Sequence, residues 1–290
     1  MRAGANAPAM PSALAFLAIA CALAVAHPVS AAGVAHFAPP ALRIVSLVPS
    51  LTEDLFAIGA GSRVVGVSQY TDFPPAATRL PTIATFTSLD AERIVQLHPD
   101  LIVAIPSQAP LAGDLQRLGL HVEFIADDSF DDLFRSLARL GALTGHAPQA
   151  VLLAARLHAR TAELVRAVPH ATRPRTFVVL GVAPIFTVGD GSYTAHLIAL
   201  AGGRNVSGIA AAYARYSPEA LLAARPDAIV ADRPSGIERA LHAPPWSALR
   251  AVQDGRVYVL DDAAILERPG PRYNDGLARL IARLHAHAAR

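Results

Sequence analysis

Glu92 and Glu219 stand at matching places in two stretches of this chain. Each lies two residues past a helix-capping type, Asp90 and Ser217, and Pro218 fills the first helical position of the second copy. A carboxylate there gains roughly 0.3–1 kcal/mol from the partial positive charge of a helix N-terminus, which is enough to account for both. The alternative is recognition. One exposed carboxylate on each half of a molecule would offer two sites for arginines of a partner, since arginine grips a carboxylate through two parallel hydrogen bonds.

Aromatic residues form the second group. Tyr70 follows a predicted strand at 64–67, and Phe86 lies in the 85–88 loop ahead of a helix. Phe186 sits in the segment APIFTVG (183–189), and Tyr213 and Tyr216 precede Ser217. One loop aromatic is ordinary packing. Several in loops that follow strands could line a cleft for a flat, apolar ligand with polar edges. Asp261, Asp262 and Arg268 follow the last predicted strand and belong to the same end; a solvated loop with a Pro269-Gly270 turn explains them equally well.

No GxSxG, P-loop, HExxH or CxxC signature occurs, and no GxGxxG follows a strand. Nucleophilic, nucleotide-binding and zinc chemistry therefore lack their usual sequence supports. Of the 11 histidines, none forms a compact ligand pair; His285 and His287, two apart near the end of an amphipathic helix, do not share a face. Neither a metal site nor a resident cofactor is expected.

The elements that must position these residues repeat around one helix. Residues 90–104 (DAERIVQLHPDLIVA) and 217–231 (SPEALLAARPDAIVA) share the glutamate, the Pro-Asp pair and Ile-Val-Ala. Residues 52–66 (TEDLFAIGAGSRVVG) and 194–208 (TAHLIALAGGRNVSG) share Thr, Leu, Ala, Gly, Val and Gly. Two pairs in the same order argue for two halves of similar build. Between the halves, residues 147–168 read as one uninterrupted helix, with Pro148 in its first turn and Pro169 past its end. Ala150, Leu153, Leu157, Thr161, Leu164 and Val168 share one stripe, and the length is roughly 33 Å at 1.5 Å per residue.

Short apolar strand signals at 43–47, 64–67, 101–105 and 122–125 return at 176–180, 228–230 and 257–260. Helix signals alternate with them at 90–97, 111–118, 130–144, 195–200, 218–224 and 274–288, and Ser50 and Glu53 have capping-box spacing at the start of another helix. This alternation predicts parallel sheets covered on both faces. The expected fold class is α/β: two Rossmann-like lobes, with a ligand cleft where the carboxyl ends of their strands face each other. The expected boundaries are 33–146 for the N-terminal lobe, 147–168 for the linking helix and 169–290 for the C-terminal lobe.

Residues 1–32 are expected to be a secretory signal. Arg2 gives a positive start, 13–26 is an apolar run, and Val29-Ser30-Ala31 or Ser30-Ala31-Ala32 offers small residues for cleavage. The run is too short to span a bilayer comfortably. Cys21, the only cysteine, falls inside it, so no disulfide is expected in the mature chain. A lipid anchor at Cys21 is not expected either, because Ala18-Ile19-Ala20 lacks the usual leucine. Residues 1–32 hold one of the 25 basic residues and no acid, which leaves 24 against 23. That balance argues against nucleic acid or an anionic membrane surface as partner.

With these motifs, the chain resembles the helical-backbone metal-receptor family of periplasmic substrate-binding proteins, which serve ABC importers of cobalamin, ferric siderophores and haem. The resemblance covers residues 42–284. It rests on SLVPSLTEDLFAIGAGSRVVGVSQYTDFPP (46–75), LDAERIVQLHPDLIVA (89–104), PIFTVG (184–189), AGGRNV (201–206), YSPEALLAARPDAIV (216–230) and ERPGPR (267–272). It is greatest to the cobalamin-binding branch. It implies a monomer of two lobes joined by a rigid helix with little hinge closure, no enzymatic activity, and cobalamin (vitamin B12) carried as cargo to an inner-membrane permease/ATPase complex. It implies that Glu92 and Glu219 dock onto permease arginines. Tyr70 and Phe186 match cleft aromatics of that branch, Phe86 and Tyr213 stand where it has tryptophans, Ile105 replaces a third, and Arg268 matches a cleft arginine. Asp262 precedes Arg268 by a longer spacing than the branch's acidic companion. Within the family the alternative cargo is a ferric siderophore or haem, with Tyr70 as the candidate haem ligand; outside it, the alternative is an exported α/β hydrolase.

Overall fold

Strand residues alternate between two apolar layers in each half of the molecule, and this sets the architecture. A computed structural model describes residues 40–85, 87–169, 173–262 and 264–286; the expected signal with Cys21, Phe86 and His287 lie outside them. The first half runs β1 (Ile44–Ser46), α1 (Pro49–Ala57), β2 (Val64–Ser68), β3 (Thr82–Ala84), α2 (Ala91–Gln96), β4 (Leu101–Ala104), α3 (Ala109–Arg117), β5 (Val122–Phe124) and α4 (Phe130–Thr144). Its five strands form a parallel sheet in the order β3-β2-β1-β4-β5. Ile44 and Val103 face one apolar cluster, Val45 and Ile102 the other. Both faces are thus covered, as expected of parallel strands that read as unbroken apolar runs.

The linking helix α5 (Ala147–Arg166) comes next. At 20 residues it spans about 30 Å. It packs against α4 at Gly141, where an added Cβ would fall 2.8 Å from the Ala150 Cβ. Ala150, Leu157 and Val168 are buried, and Leu153, Leu164 and Val165 pack partly against the same cluster. Arg160 pairs with Glu163 at 2.9 Å on the exposed side.

The second half runs β6 (Arg175–Val179), β7 (Gly181–Val182), β8 (Ile185–Val188), α6 (Tyr193–Leu200), β9 (Arg204–Asn205), β10 (Tyr213–Arg215), α7 (Pro218–Ala224), β11 (Ala228–Asp232), α8 (Ile237–Ala240), α9 (Arg250–Gln253), β12 (Val257–Leu260), α10 (Ala264–Glu267) and α11 (Tyr273–Leu284). Its parallel sheet has the order β12-β11-β6-β9. Val178 and Val230 face the cluster that continues from the first half, Phe177 and Ile229 a separate one.

The internal repeat is structural. The order β2-β1-β4-β5 in one lobe matches β9-β6-β11-β12 in the other, with α2 leading into β4 as α7 leads into β11. The Pro-Asp pair has one mechanical role in both copies. Asp100 accepts hydrogen bonds from the amides of Leu42 and Arg43 at 2.9 and 2.8 Å, and Asp227 accepts from the amide of Arg175 at 2.9 Å. The Arg43 side chain donates to the Leu97 carbonyl, and the Arg175 side chain to those of Ala224 and Arg225, closing the carbonyl end of the preceding helix. His98 and Arg225, just before the prolines, both adopt positive φ, 46° and 41°. This left-handed residue stops the helix and aims the chain into the strand.

Several sequence expectations change. Ser50 does not cap α1; Val48 is the capping residue and makes no side-chain cap bond, and the Ser50 hydroxyl instead donates to Asp127 at 2.6 Å. The segments around Phe186 and Tyr213 are strands, not loops: β7, β8 and β10 form an antiparallel sheet in the order β10-β8-β7. Their short, mixed sequence lacks the apolar run that announces a parallel strand. The C-terminal helix ends at Leu284 and begins at Tyr273.

Candidate functional site

The two parallel sheets approach each other through the segments that follow their strands. Tyr193 at the start of α6 donates its amide to the carbonyl of Asp128, which follows β5, at 3.1 Å. Phe130 of α4 stacks on His196 of α6 at 4.3 Å and meets Tyr273 of α11 edge-on at 5.1 Å. These ring contacts fix the junction on one side.

Charge fixes the other side. Glu53, in α1 and only 5% exposed, takes a bidentate grip from Arg272, with Nε–Oε2 2.8 Å and Nη2–Oε1 2.9 Å. Arg272 also reaches Asp262 at 2.8 Å and lies 4.1 Å from the Phe73 ring centroid. Arg268 pairs with Asp72 at 2.8 Å and lies 3.9 Å from Glu53. The hydrogen bond to Glu53, then the charges of Glu53 and Asp262, hold the Arg272 guanidinium well above its usual pKa. A buried carboxylate is tolerable only with such a partner.

The predicted site residues fall into two sets. Tyr70, Phe186 and Tyr213 are exposed aromatics, 67%, 37% and 36% respectively. Tyr70 has φ 66°, a left-handed conformation unusual without glycine, between β2 and β3. Such strain persists where the surroundings enforce it and concentrates at functional positions. Phe186 and Tyr213 are carried by the antiparallel ribbon. The register pairs Tyr213 with Val188 and Arg215 with Phe186, so the two rings share a face as diagonal neighbours. The ribbon grows directly from the carboxyl end of β6, where the Leu180 amide donates to the Phe186 carbonyl at 2.9 Å. Burial, then the charges of Asp127 and Asp128 from the opposite lobe and of Glu267, push the Tyr213 hydroxyl up to about 12. Phe86 lies outside the described residues.

Asp262 and Arg268 form the second set, and both are engaged in the ion-pair network that joins the lobes. Sequence reasoning missed the rest of that network: Glu53, Asp72 and Arg272. Arg272 stands inside the ERPGPR motif, but nothing local shows that it reaches an acid 219 positions away. Sequence reasoning also missed the half-buried carboxyls of Asp127 and Glu267. Burial pushes Asp127 up to about 6, against the lowering effect of the Ser50 hydrogen bond. Glu267 is raised by burial and by Asp232, which it faces.

Glu92 and Glu219 are exposed on α2 and α7, and among the described residues neither joins an ion pair. Asp90 and Ser217 cap these helices as expected, accepting from Arg93 at 3.0 Å and Ala220 at 3.1 Å. Among the described residues no group of three or more His, Cys, Asp or Glu could hold a metal ion, and no helix is long and apolar enough to cross a membrane. A cavity of about 650 Å³ opens between the start of α4 and edge strand β9, lined in part by Arg173, Arg204 and His196. None of Tyr70, Phe186 and Tyr213 lines it.

Two parallel-sheet lobes joined by one long linking helix define a two-lobed α/β architecture. The chain belongs to the periplasmic binding protein family, whose model matches residues 44–264. It is 31% identical over 241 residues to the vitamin B12-binding protein of Vibrio vulnificus (strain CMCP6), covering 81% of this chain and 87% of the relative. The crystal structure of the periplasmic vitamin B12-binding protein BtuF of Vibrio cholerae superposes with a TM-score of 0.75 at 28% identity, covering 87% of this chain and 99% of that one. A periplasmic haem-binding protein from Pseudomonas aeruginosa superposes with a TM-score of 0.76 at 28% identity, covering 85% and 94%.

Proposed function

We propose that this protein is the cobalamin-binding component of an ABC importer. It captures vitamin B12 in the periplasm between its two lobes and delivers it to a membrane permease/ATPase complex, without turnover of its own. The observation that carries the reading is the set of exposed aromatics on strand-end segments of both lobes: Tyr70 on one, Phe186 and Tyr213 on the other. Corrin is a broad, flat ring with an amide fringe. Flat apolar walls suit its faces, and polar groups at the rim suit its edges. The vitamin B12-binding relatives support the same cargo. No resident cofactor is needed, since cobalamin is the load.

Residues 1–32 act in this reading as the export signal, with no lipid anchor at Cys21, and the mature protein works as a monomer. The N-terminal lobe (33–146), the linking helix α5 (Ala147–Arg166) and the C-terminal lobe that follows it to 290 are its working parts. Glu92 and Glu219 dock onto arginines of the permease, one on each lobe. The double variant Glu92→Ala/Glu219→Ala should lose stimulation of the importer's ATPase with cobalamin affinity unchanged; full stimulation by that variant would remove the docking role.

Isothermal titration of residues 33–290 with cyanocobalamin tests the ligand, with haem as the control. Sub-micromolar affinity for cyanocobalamin is expected. Haem binding with a Soret shift that Tyr70→Ala abolishes, and no heat with cyanocobalamin, would instead make this a haem receptor. The exposed ring of Tyr70 and the haem-binding structural relative make that the second reading.

A further inference from the structure

Arg215 lies on the same face of the antiparallel ribbon as the two candidate ligand rings. In the ladder between β8 and β10 it stands directly opposite Phe186, and Tyr213 is two residues before it. Opposite side chains lie about 4.5–5.5 Å apart at Cβ, and residues two apart on a strand share a face. The other face of the ribbon is packed. Thr187 is fully buried and donates to the Val178 carbonyl at 2.6 Å, Ile185 is buried, and the Tyr216 ring lies 5.1 Å from that of Phe177. Phe186, Tyr213 and Arg215 are left on the outward face, and all three are exposed.

The charge on this arginine is unspent. Arg268 is paired with Asp72, and Arg272 with Glu53 and Asp262. Among the described residues the Arg215 side chain makes no ion pair and no hydrogen bond. An exposed arginine is ordinary on a surface, and β10 is an edge strand, where a charge deters pairing with another chain. An edge guard needs only a charge. A charge directly across from one ligand ring and beside another is also within reach of whatever lies on those rings.

We propose that Arg215 selects corrinoids that carry the nucleotide tail, gripping the phosphodiester of that tail while the corrin lies on Phe186 and Tyr213. This rests on the cobalamin reading above and adds a charged determinant to its aromatic residues. The charge count supports this group. A phosphodiester has a single negative charge shared by two free oxygens, which match the planar fork of one guanidinium. Haem presents a pair of carboxylates, and one unpaired arginine would leave the second without a partner. The corrin amides are neutral and need no cation. The nucleotide tail is joined to the edge of the corrin, so a cation beside an aromatic face is placed to meet it.

The test titrates the mature protein with cyanocobalamin and with dicyanocobinamide, a corrin that lacks the nucleotide tail and its phosphodiester. Arg215→Gln is expected to weaken cyanocobalamin binding about ten-fold and dicyanocobinamide binding by no more than about two-fold. Arg215→Lys keeps the charge and loses the fork, and its cyanocobalamin affinity should fall between wild type and Arg215→Gln. Added salt should narrow the gap between wild type and Arg215→Gln, because it screens the ion pair at this exposed site. Unchanged cyanocobalamin affinity in Arg215→Gln would overturn the proposal and leave the arginine as an edge guard. An equal loss for both corrinoids would overturn it too, since the arginine would then act on the ring or the packing and not on the phosphodiester. In both of those outcomes the cobalamin reading stands. Failure of the wild type to bind either corrinoid would bring down that reading and this proposal with it.

Discussion

The two lobes share one plan and differ at the cleft. In both, an aspartate after a proline fastens the start of the first strand, and a left-handed residue ends the preceding helix. The walls are not alike. The N-terminal lobe offers Tyr70 at positive φ, two residues before Asp72. The C-terminal lobe offers Phe186 and Tyr213 on a hydrogen-bonded ribbon that has no counterpart among the described residues of the other lobe. A duplicated scaffold tolerates this difference because the repeat keeps the sheet and its anchors, while the segments after the strands carry the chemistry. Phe186 and Tyr213 are held by strand pairing, whereas Tyr70 is more exposed and stands in a turn.

The largest expected effect tests what joins the lobes. Glu53→Ala removes the bidentate partner of Arg272, and loss of a partner from a buried ion pair costs about 3–5 kcal/mol. Urea unfolding should show that loss; a change below about 1 kcal/mol would mean that the continuous apolar cluster alone holds the lobes. Next comes Asp127, whose pKa is raised in the folded state to about 6. Its protonated form therefore adds stability that is fully present below about pH 4 and lost as pH rises through about 6, of order 3 kcal/mol at most. Asp127→Asn keeps an acceptor for Ser50 and should flatten stability between pH 4 and 6; an unaltered profile would assign the slope to another group.

The walls themselves should separate in titrations with cyanocobalamin. Phe186→Ala and Tyr213→Ala are each expected to weaken binding about ten-fold, or about 1.4 kcal/mol. Tyr70→Ala should cost less, because its ring is two-thirds exposed and must be ordered on binding. The reverse ranking would make the N-terminal wall the recognition face. The smallest difference concerns the shared anchors. Asp100 holds two amides and Asp227 one, so Asp100→Ala should cost about 1.5 kcal/mol and Asp227→Ala about 1 kcal/mol. Equal losses in urea melts would remove the distinction between the anchors.

Much of this architecture was legible in the residues. The Pro-Asp repeat placed α2 with β4 and α7 with β11, and the proline-bounded apolar stripe placed α5 to within two residues of its end. Periodicity works there because parallel strands are buried on both faces and helices bury one stripe. The antiparallel ribbon was illegible: β7 is two residues and β10 three, and their pairing depends on partners elsewhere in the chain. The ion-pair network was illegible for the same reason. Glu53 suggested a helix cap by its spacing from Ser50, yet its partner lies in the other lobe, and only the fold brings them together.

The most direct test is a crystal structure of the mature protein grown with cyanocobalamin. The corrin ring is expected between the lobes, with Tyr70 against one face and Phe186 and Tyr213 against the other, and with Arg268 still paired to Asp72. Ligand seated instead in the cavity lined by Arg173, Arg204 and His196, with the aromatic walls empty, would contradict the account.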